Sequence, residues 1–194
     1  MTSRITLADF AAHGSHQKGH FRLSSGLHSS DYLQCALFLA NPARAERAGR
    51  QLAEAMASVM VKPDIVVGPA LGGLVIGYEV ARAFRVPFIF TERVDGRMTL
   101  RRGFGIGPKQ GIVVIEDVVT TGGSTREVIE IMQSLGGDVI GVGSLVNRSG
   151  SANPFDPVPY VALLEAEFPT WEKADCPLCK VEQPIVKPGS RPVK

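Results

Sequence analysis

The sequence predicts an α/β protein with a central, mostly parallel sheet flanked by helices. Short apolar runs such as "DIVVG" and "GIVVIED" recur along the chain, and segments with helical spacing of apolar residues separate most of them. The runs are apolar throughout, which is typical of parallel strands buried on both faces. Glycine-bearing turns follow several runs, and in open sheets of this kind ligands bind at the carboxyl ends of the strands.

The first elements of the sheet follow an amphipathic helix. Residues 41–61, "NPARAERAGRQLAEAMASVMV", carry Ala, Leu and Met at helical spacing, with Pro42 in the first turn. A short strand at 64–67, a Gly-Pro turn and a helix at about 73–84 follow. This strand-turn-helix order is the repeating unit of a parallel sheet.

The second half repeats that order. "VPFIF" at 86–90 predicts a buried strand, and a glycine- and arginine-rich loop runs from there to Gln110. Such a long loop is unusual in a compact domain and is more often functional than not. "GIVVIED" at 111–117 predicts a third strand, and "STREVIEIMQSLGG" a helix with a Gly pair suited to its C-terminus. "DVIGVGSLVNR" and "YVALLEAEF" predict two more strands.

Composition and charge restrict the class of protein. The 194 residues form one domain, with or without a small appendage, and 44% are hydrophobic. The formal net charge of +2 is too small to indicate nucleic-acid binding. The N-terminus lacks a signal-peptide pattern and no apolar run is long enough to span a bilayer, so we expect a cytoplasmic protein. Three cysteines fit a reducing compartment.

The stretch "VVIEDVVTTGGSTREV" combines two acids with a turn suited to an anion. Ser124 and Glu127 have the spacing of a capping box, which predicts that a helix starts at Ser124. Gly122 and Gly123 let the backbone approach a ligand, and the free N–H groups of the helix start attract anions. Glu116 and Asp117 would repel a bare phosphate, whereas a sugar phosphate presents hydroxyls that carboxylates accept. The plain alternative is a tight turn beside solvent-exposed charges.

Other nucleotide-binding patterns fit less well. The chain lacks G-x-x-x-x-G-K-[ST], and "GFGIGPK" follows no predicted strand. Nucleotide kinases and dinucleotide-dependent dehydrogenases are therefore disfavoured.

"VVIEDVVTTGGST" resembles the phosphoribosyl pyrophosphate (PRPP) motif of the type I phosphoribosyltransferases. "FRLSSGLHSSDYLQ", "VGPALGG", "LVNRSG" and "CPLCKVEQPIVKPGSR" extend the resemblance over nearly the whole chain to the orotate phosphoribosyltransferases of the shorter bacterial and archaeal kind. The resemblance implies a hood built from residues 1–40 and 166–194, and a core of residues 41–165 with a lid loop at 91–110. It also implies a homodimer.

The resemblance implies particular site residues. Glu116, Asp117 and Arg93 would be catalytic, with the two acids on the ribose hydroxyls. The residues implied in PRPP binding are Glu116, Asp117, Val118, Val119, Thr120, Thr121, Gly122, Gly123, Ser124, Leu71, Gly72, Arg93 and Arg97. Those implied in orotate binding are Thr120, Arg148, Leu33 and Gln34. Arg148 would bind the carboxylate of orotate, because a guanidinium matches a planar carboxylate with two hydrogen bonds.

The basic loop departs from the familiar pattern of the family. Arg93, Arg97, Arg101, Arg102 and Lys109 stand against only Glu92 and Asp95, and such charge runs are usually solvated. Relatives use a lysine- and histidine-rich lid whose charges reach pyrophosphate, often in the partner subunit. Here Glu92-Arg93 stands at the equivalent point, and Gly72 stands where many relatives have lysine. Arg93, and then Arg97, are the best candidates for that contact.

A lone CxxC, formed by Cys176 and Cys179, is weak as a metal signal. Histidines at 13, 16, 20 or 28 would have to complete it, and structural or unused cysteines are favoured by about four to one. His13, His16 and His20 are expected to face solvent in a loop. No protein-side metal ligand is therefore predicted, and Mg²⁺ would be held mainly by PRPP.

The implied reaction joins PRPP and orotate to give orotidine 5-phosphate and pyrophosphate, a step of de novo pyrimidine (UMP) synthesis. Two alternatives remain open. One is a phosphoribosyltransferase for a purine base. The other is a non-catalytic regulator that senses PRPP and binds nucleic acid through the basic loop, although the small net charge disfavours it. Neither a membrane nor a nucleic-acid partner is expected.

Overall fold

The computed structural model describes residues 3–23 and 25–188. They divide into a core unit, Leu39–Ala166 with the residues up to Ile5, and a terminal unit, Thr6–Phe38 with the described residues from Glu167 onward. The predicted core, residues 41–165, ends within two residues of the joins at Leu39 and Ala166, but the join at Ile5 was not predicted. In chain order the elements are α1 Leu7–Ala12, β1 His16–Arg22, β2 His28–Leu33, α2 Cys35–Leu39, α3 Pro42–Ala57, β3 Ile65–Pro69, α4 Gly73–Phe84, β4 Phe88–Val94, β5 Arg97–Leu100, β6 Gly111–Val119, α5 Gly123–Ser134, β7 Asp138–Asn147, β8 Tyr160–Glu165, β9 Thr170–Trp171 and α6 Pro177–Lys180.

The core unit is built on a six-stranded sheet in the order β5-β4-β3-β6-β7-β8. Every pair is parallel except β4 with β5, which confirms the predicted mostly parallel α/β architecture. The central strand β6 is buried from Ile112 to Glu116 because both faces are covered. Its carboxyl end therefore lies in the middle of the sheet edge where ligands bind in such folds.

The predicted helices of the core unit are present with adjusted ends. α3 begins at Pro42 because the Asn41 side chain accepts a hydrogen bond from the Arg44 N–H, and it ends at Ala57 instead of continuing to Val61. α4 has the predicted bounds. Its Arg85 C-cap is left-handed, which ends the helix before the next strand.

Two predictions in the core unit are wrong. The segment 91–110 is not one long loop, because β4 continues to Val94 and forms a hairpin with β5. Asp95 and Gly96 have positive φ angles at its turn, which suits a tight hairpin. Helix α5 starts at Gly123, not at Ser124, and Gly122 is its left-handed N-cap. The predicted capping box does not form, because the Glu127 carboxylate binds Arg93 instead of the helix start.

The terminal unit contains an antiparallel sheet in the order β1-β2-β9. β1 and β2 pair as a hairpin that joins His16 to Leu33 and Arg22 to His28. The expectation of a loop with solvent-facing histidines is wrong for His16 and His20, because both lie on β1. His16 binds Asp31, and His20 is only 3% exposed. Among the described residues no helix is long and apolar enough to cross a membrane.

Candidate active site

Glu116 and Asp117 stand near the carboxyl end of β6, the central strand of the core sheet. The Asp117 N–H donates to Glu116 Oε1 at 3.1 Å, and the Val118 N–H donates to Asp117 Oδ1 at 2.8 Å. Burial raises the pKa of the Asp117 carboxyl, and the hydrogen bonds from Glu116 and Val118 oppose that shift only in part. The site thus holds a hydrogen-bond acceptor that gains from contact with donors such as sugar hydroxyls.

Residues 120–124 comprise the turn after β6 and the first two residues of α5, and we call this segment the anion turn. Gly122 has φ +74, a conformation that costs little only for glycine, and it directs the chain into the helix. The Gly123 N–H lies 3.5 Å from Thr121 Oγ1, and Thr120, Thr121 and Gly123 are exposed. α5 has 12 residues, so its first N–H groups carry a partial positive charge toward this turn. Backbone N–H groups and threonine hydroxyls can together bind a phosphate by donating hydrogen bonds to it.

Arg126, which the sequence analysis did not single out, fixes the anion turn. Its Nη1 donates to the Thr121 carbonyl at 2.6 Å and its Nη2 to the Pro154 carbonyl at 2.8 Å. The guanidinium also lies over the Phe155 ring, 5.6 Å from its centroid. The only sequence signal was an arginine in the first turn of a helix that follows a glycine pair.

The turn after β3 reaches the same edge of the sheet. Leu71 and Gly72 lie in it; the Ala70–Leu71 peptide bond is cis, and Leu71 is exposed. A β-carbon on Gly72 would lie 2.7 Å from Asp117 Cγ, which is too close for a normal contact. Gly72 therefore lets this turn approach the Asp117 carboxylate closely.

Arg148 follows β7, whose end pairs with the end of β6. Val119 lies opposite Asn147, and the Arg148 N–H donates to the Val119 carbonyl at 2.7 Å. The buried Asn147 side chain accepts from Ser149 and donates to the Ser151 carbonyl, which shapes the turn beyond the arginine. The backbone of Arg148 thus lies beside Val119, the residue that precedes Thr120. The Val119 side chain itself belongs to the hydrophobic core, and Val118 is half-buried.

The β4–β5 hairpin places Arg93 beside the anion turn. Arg93 donates to both carboxylate oxygens of Glu127, at 2.7 and 3.0 Å, and its Nη2 lies 3.4 Å from Ser124 Oγ. Arg97 is exposed at the start of β5. Arg102 and Arg101 pair with Glu92, at 3.0 and 3.8 Å. The basic segment is therefore partly neutralised by its own acids.

Leu33 and Gln34 belong to the terminal unit. Leu33 ends β2 and is buried, and the Gln34 N–H donates to the Ser15 carbonyl at 2.8 Å. Their predicted contact with a base stays a prediction. In the core unit, by contrast, Glu116, Asp117, the anion turn, Gly72 and Arg148 all lie at one edge of one sheet.

Paired acids beside an anion turn, at the end of the central strand of such a sheet, define the phosphoribosyltransferase class. The family described as "Phosphoribosyl transferase domain" matches residues 37–174. The protein named orotate phosphoribosyltransferase from Carboxydothermus hydrogenoformans is 50% identical over 174 residues, which cover 90% of this chain and 91% of its own. The one from Pelotomaculum thermopropionicum is 48% identical over 193 residues, 100% of both chains. The chain belongs to the orotate phosphoribosyltransferase family.

Solved structures agree with this family. The crystal structure of orotate phosphoribosyltransferase from Aeropyrum pernix is similar with a TM-score of 0.69 at 26% identity, over 83% of this chain and 93% of its own. Adenine phosphoribosyltransferase from Thermoanaerobacter pseudethanolicus has a TM-score of 0.62 at 17% identity, a likeness of fold alone. The fold and family predicted from the sequence are confirmed.

Proposed function

We propose that the protein transfers the phosphoribosyl group of PRPP to orotate, giving orotidine 5-phosphate and pyrophosphate. The observation that carries this proposal is the position of the Glu116–Asp117 pair, which only Val118 and Val119 separate from an anion turn fixed by Arg126. A ribose 5-phosphate has hydroxyls for the carboxylates and a phosphate for the turn, so one ligand satisfies both groups.

In the reaction the bond between the anomeric carbon and the pyrophosphate oxygen breaks, and its electron pair leaves with pyrophosphate. A ring nitrogen of orotate supplies the electron pair of the new C–N bond and releases its proton. Positive charge develops on the ribose ring in between, and the negative charge of the Glu116–Asp117 pair stabilises it. Fixing the ribose at two hydroxyls and the 5-phosphate also orients the anomeric carbon, which lowers the entropic part of the barrier.

Arg148 selects the base, and the turn after β3 binds the pyrophosphate. Arg148 begins at the sheet edge beside Thr120, and its guanidinium suits the carboxylate that distinguishes orotate from purine bases. The backbone of Leu71 and Gly72, close to Asp117, is suited to the pyrophosphate. Arg93 is our candidate for the leaving group, with Arg97 second. Because Glu127 binds Arg93, pyrophosphate would have to compete with that carboxylate.

The site fits a magnesium ion that enters with PRPP. Glu116 and Asp117 offer carboxylate oxygens, the donor type that Mg²⁺ prefers, and the exposed Thr120 and Thr121 leave room for a hydrated ion. When bound, magnesium neutralises charge on the departing pyrophosphate. The carboxylates would hold the sugar hydroxyls, and the ion would take most of its oxygen ligands from PRPP and water.

A homodimer is part of the proposal. Val75, Tyr78, Phe88, Phe90 and Phe104 line an apolar surface of the core unit, with Tyr78 58% exposed. Val75 and Tyr78 lie on α4, which starts directly after Gly72, and Phe104 lies in the 101–110 loop. A second copy bound to this surface would therefore bring its own 101–110 loop toward the Gly72 turn. Sedimentation velocity should show a dimer that Tyr78→Glu weakens; an unchanged dimer would contradict this surface. Among the described residues the three cysteines form no disulfide, which fits a cytoplasmic location.

The activity is tested by mixing the protein with PRPP, Mg²⁺ and one base at a time, while measuring base absorbance and released pyrophosphate. We expect orotate to be consumed with equal release of pyrophosphate, and adenine, guanine and hypoxanthine to be unchanged. Consumption of a purine, or a salt-dependent mobility shift of nucleic acid without turnover, would overturn the proposal. Asp117→Asn supplies the matched inactive control.

A further inference from the structure

Four potential metal ligands meet in the terminal unit, and none of them is among the residues assigned to PRPP. They are the side chains of His20, His28, Cys176 and Cys179, whose donor atoms all lie within 4.8 Å of one another. His20, His28 and Cys176 are buried, and Cys179 is half-buried. Buried histidine and thiol groups need polar partners, and contacts among the four side chains supply several of them.

The distances between the donor atoms fit one tetrahedral ion. His20 Nε2 lies 2.9 Å from His28 Nδ1, 3.5 Å from Cys176 Sγ and 3.7 Å from Cys179 Sγ, and the latter lies 3.3 Å from His28 Nδ1. Bond lengths of about 2.3 Å to sulfur and about 2.0–2.1 Å to nitrogen place neighbouring ligands of tetrahedral zinc about 3.3–3.8 Å apart. Of these four distances, only the one between the two imidazole nitrogens is shorter, because the rings hydrogen-bond to each other. A small outward shift of the rings would admit the ion.

The hydrogen bonds around the cluster set the ligand atoms. His20 Nδ1 lies 2.8 Å from the Gln183 carbonyl, which can only accept, so Nδ1 carries the proton and Nε2 offers its lone pair to the cluster. A cavity lined by His28, Cys179, Lys173 and other residues gives the ion a route from solvent.

The ligands come from segments that are far apart in the sequence. His20 is on β1 and His28 on β2, whereas the cysteines flank the start of α6, more than 140 residues later. Backbone hydrogen bonds join the same segments, because the Val186 N–H donates to the His20 carbonyl and the Arg22 N–H donates to the Val186 carbonyl. An ion held by all four ligands would cross-link the hairpin to the C-terminal segment.

We propose that His20, His28, Cys176 and Cys179 bind one zinc(II) ion as a structural site. A closed set of four nitrogen and sulfur ligands without an open position is typical of structural zinc. This reverses the preference drawn from the lone CxxC, since the missing pair of ligands is the two histidines. A redox-active CxxC is the competing reading, but it would not require two buried imidazoles at the thiols.

The test uses the full chain, purified without an affinity tag from cells supplied with zinc. We expect about one zinc per chain by elemental analysis. Removing it with a chelator should lower the melting temperature, and zinc should restore it. Cobalt(II) in its place should give the visible absorption and thiolate charge-transfer bands of a tetrahedral site. Hydrogen exchange of the metal-free protein should rise in β1, β2 and residues 176–186, and not in β6 or β7.

The variants separate ligation from folding. Cys179→Ser should lose the metal, whereas Cys179→His should keep it with weaker sulfur charge-transfer bands. Cys35→Ser is the matched control, because Cys35 is also buried but lies outside the cluster, and it should keep one zinc. The proposal is overturned by protein that neither contains nor binds zinc or cobalt, by a Cys176–Cys179 disulfide in reduced lysate, or by metal that persists in Cys176→Ser/Cys179→Ser. Iron as the resident metal would overturn the assignment of zinc.

Discussion

Replacing Gly122 by alanine tests how tightly the anion turn is held. Gly122 has φ +74, which costs an alanine about 1–2 kcal/mol. The new methyl group would also lie 2.8 Å from Phe155 Cε1. Phe155 is 5% exposed and packs edge-to-face on Tyr160, so it cannot easily withdraw, and overpacking of this kind costs about 1–3 kcal/mol. The total expected loss in free energy of unfolding is about 2–5 kcal/mol.

Gly136, at the other end of α5, supplies the matched control. Its φ is +85, but an added methyl group would have no atom within 4 Å. Gly136→Ala should therefore show the backbone cost alone, about 1–2 kcal/mol. Urea unfolding of both variants measures the difference. Gly122→Ala should also cost less in a Phe155→Leu background, where the ring is gone.

The anion turn connects that stability change to activity. A displaced turn loses part of its contact with the 5-phosphate, and one hydrogen bond to a charged group is worth about 1.5–3 kcal/mol. We expect KM for PRPP to rise roughly tenfold or more in Gly122→Ala, with KM for orotate nearly unchanged and Gly136→Ala kinetically normal. Equal destabilisation by the two substitutions, or an unchanged KM for PRPP, would refute the argument that Gly122 is needed for close packing on Phe155.

Three further substitutions test the site. Asp117→Asn should fold normally and lose most turnover. Because burial raises the pKa of Asp117, the parental KM for PRPP should rise on acidification at a higher pH than an ordinary aspartate would cause, and a pH profile of Asp117→Asn should lack that step. Arg148→Ala should weaken orotate far more than PRPP in calorimetry; equal weakening would reject its role. Arg126→Lys should raise KM for PRPP through a loosened Thr121 carbonyl, with kcat less affected; an unchanged KM would leave Arg126 without a positioning role.

The fold was predictable because the sheet is buried on both faces. Continuous apolar runs and helical spacing located β3, β6 and α4 within a few residues, and parallel strands fixed which ends meet. That geometry placed Asp117 and the anion turn at one edge, whereas the role of Arg148 came only from the resemblance. The choice of orotate, in contrast, came from resemblance, because no periodicity encodes the identity of a base.

The errors in the helix α5 region arise where residues far away in the sequence bind side chains that were expected to make local hydrogen bonds. Ser124 and Glu127 have the spacing of a capping box, but Arg93 on the hairpin takes the Glu127 carboxylate with two short hydrogen bonds. The charge-assisted Arg93–Glu127 pair is stronger than a hydrogen bond from Glu127 to the helix N-terminus. Gly122, which has no side chain, is then the N-cap of the helix. Arg126 was missed for the same reason, since its partners include Pro154, far along the chain.

The cysteine pair shows the limit of spacing as a guide to chemistry. Cys176 and Cys179 predict half of a metal site, and the other half depends on the register of β1 with β2, in which Arg22 lies opposite His28. A shift of that register by one residue would turn His28 to the other face of the sheet and remove it from the thiols. The four ligands therefore exist as a set only in the folded terminal unit. If they bind zinc, the ion stabilises the same strand register that creates its site, so chelation should weaken the hairpin before the core sheet.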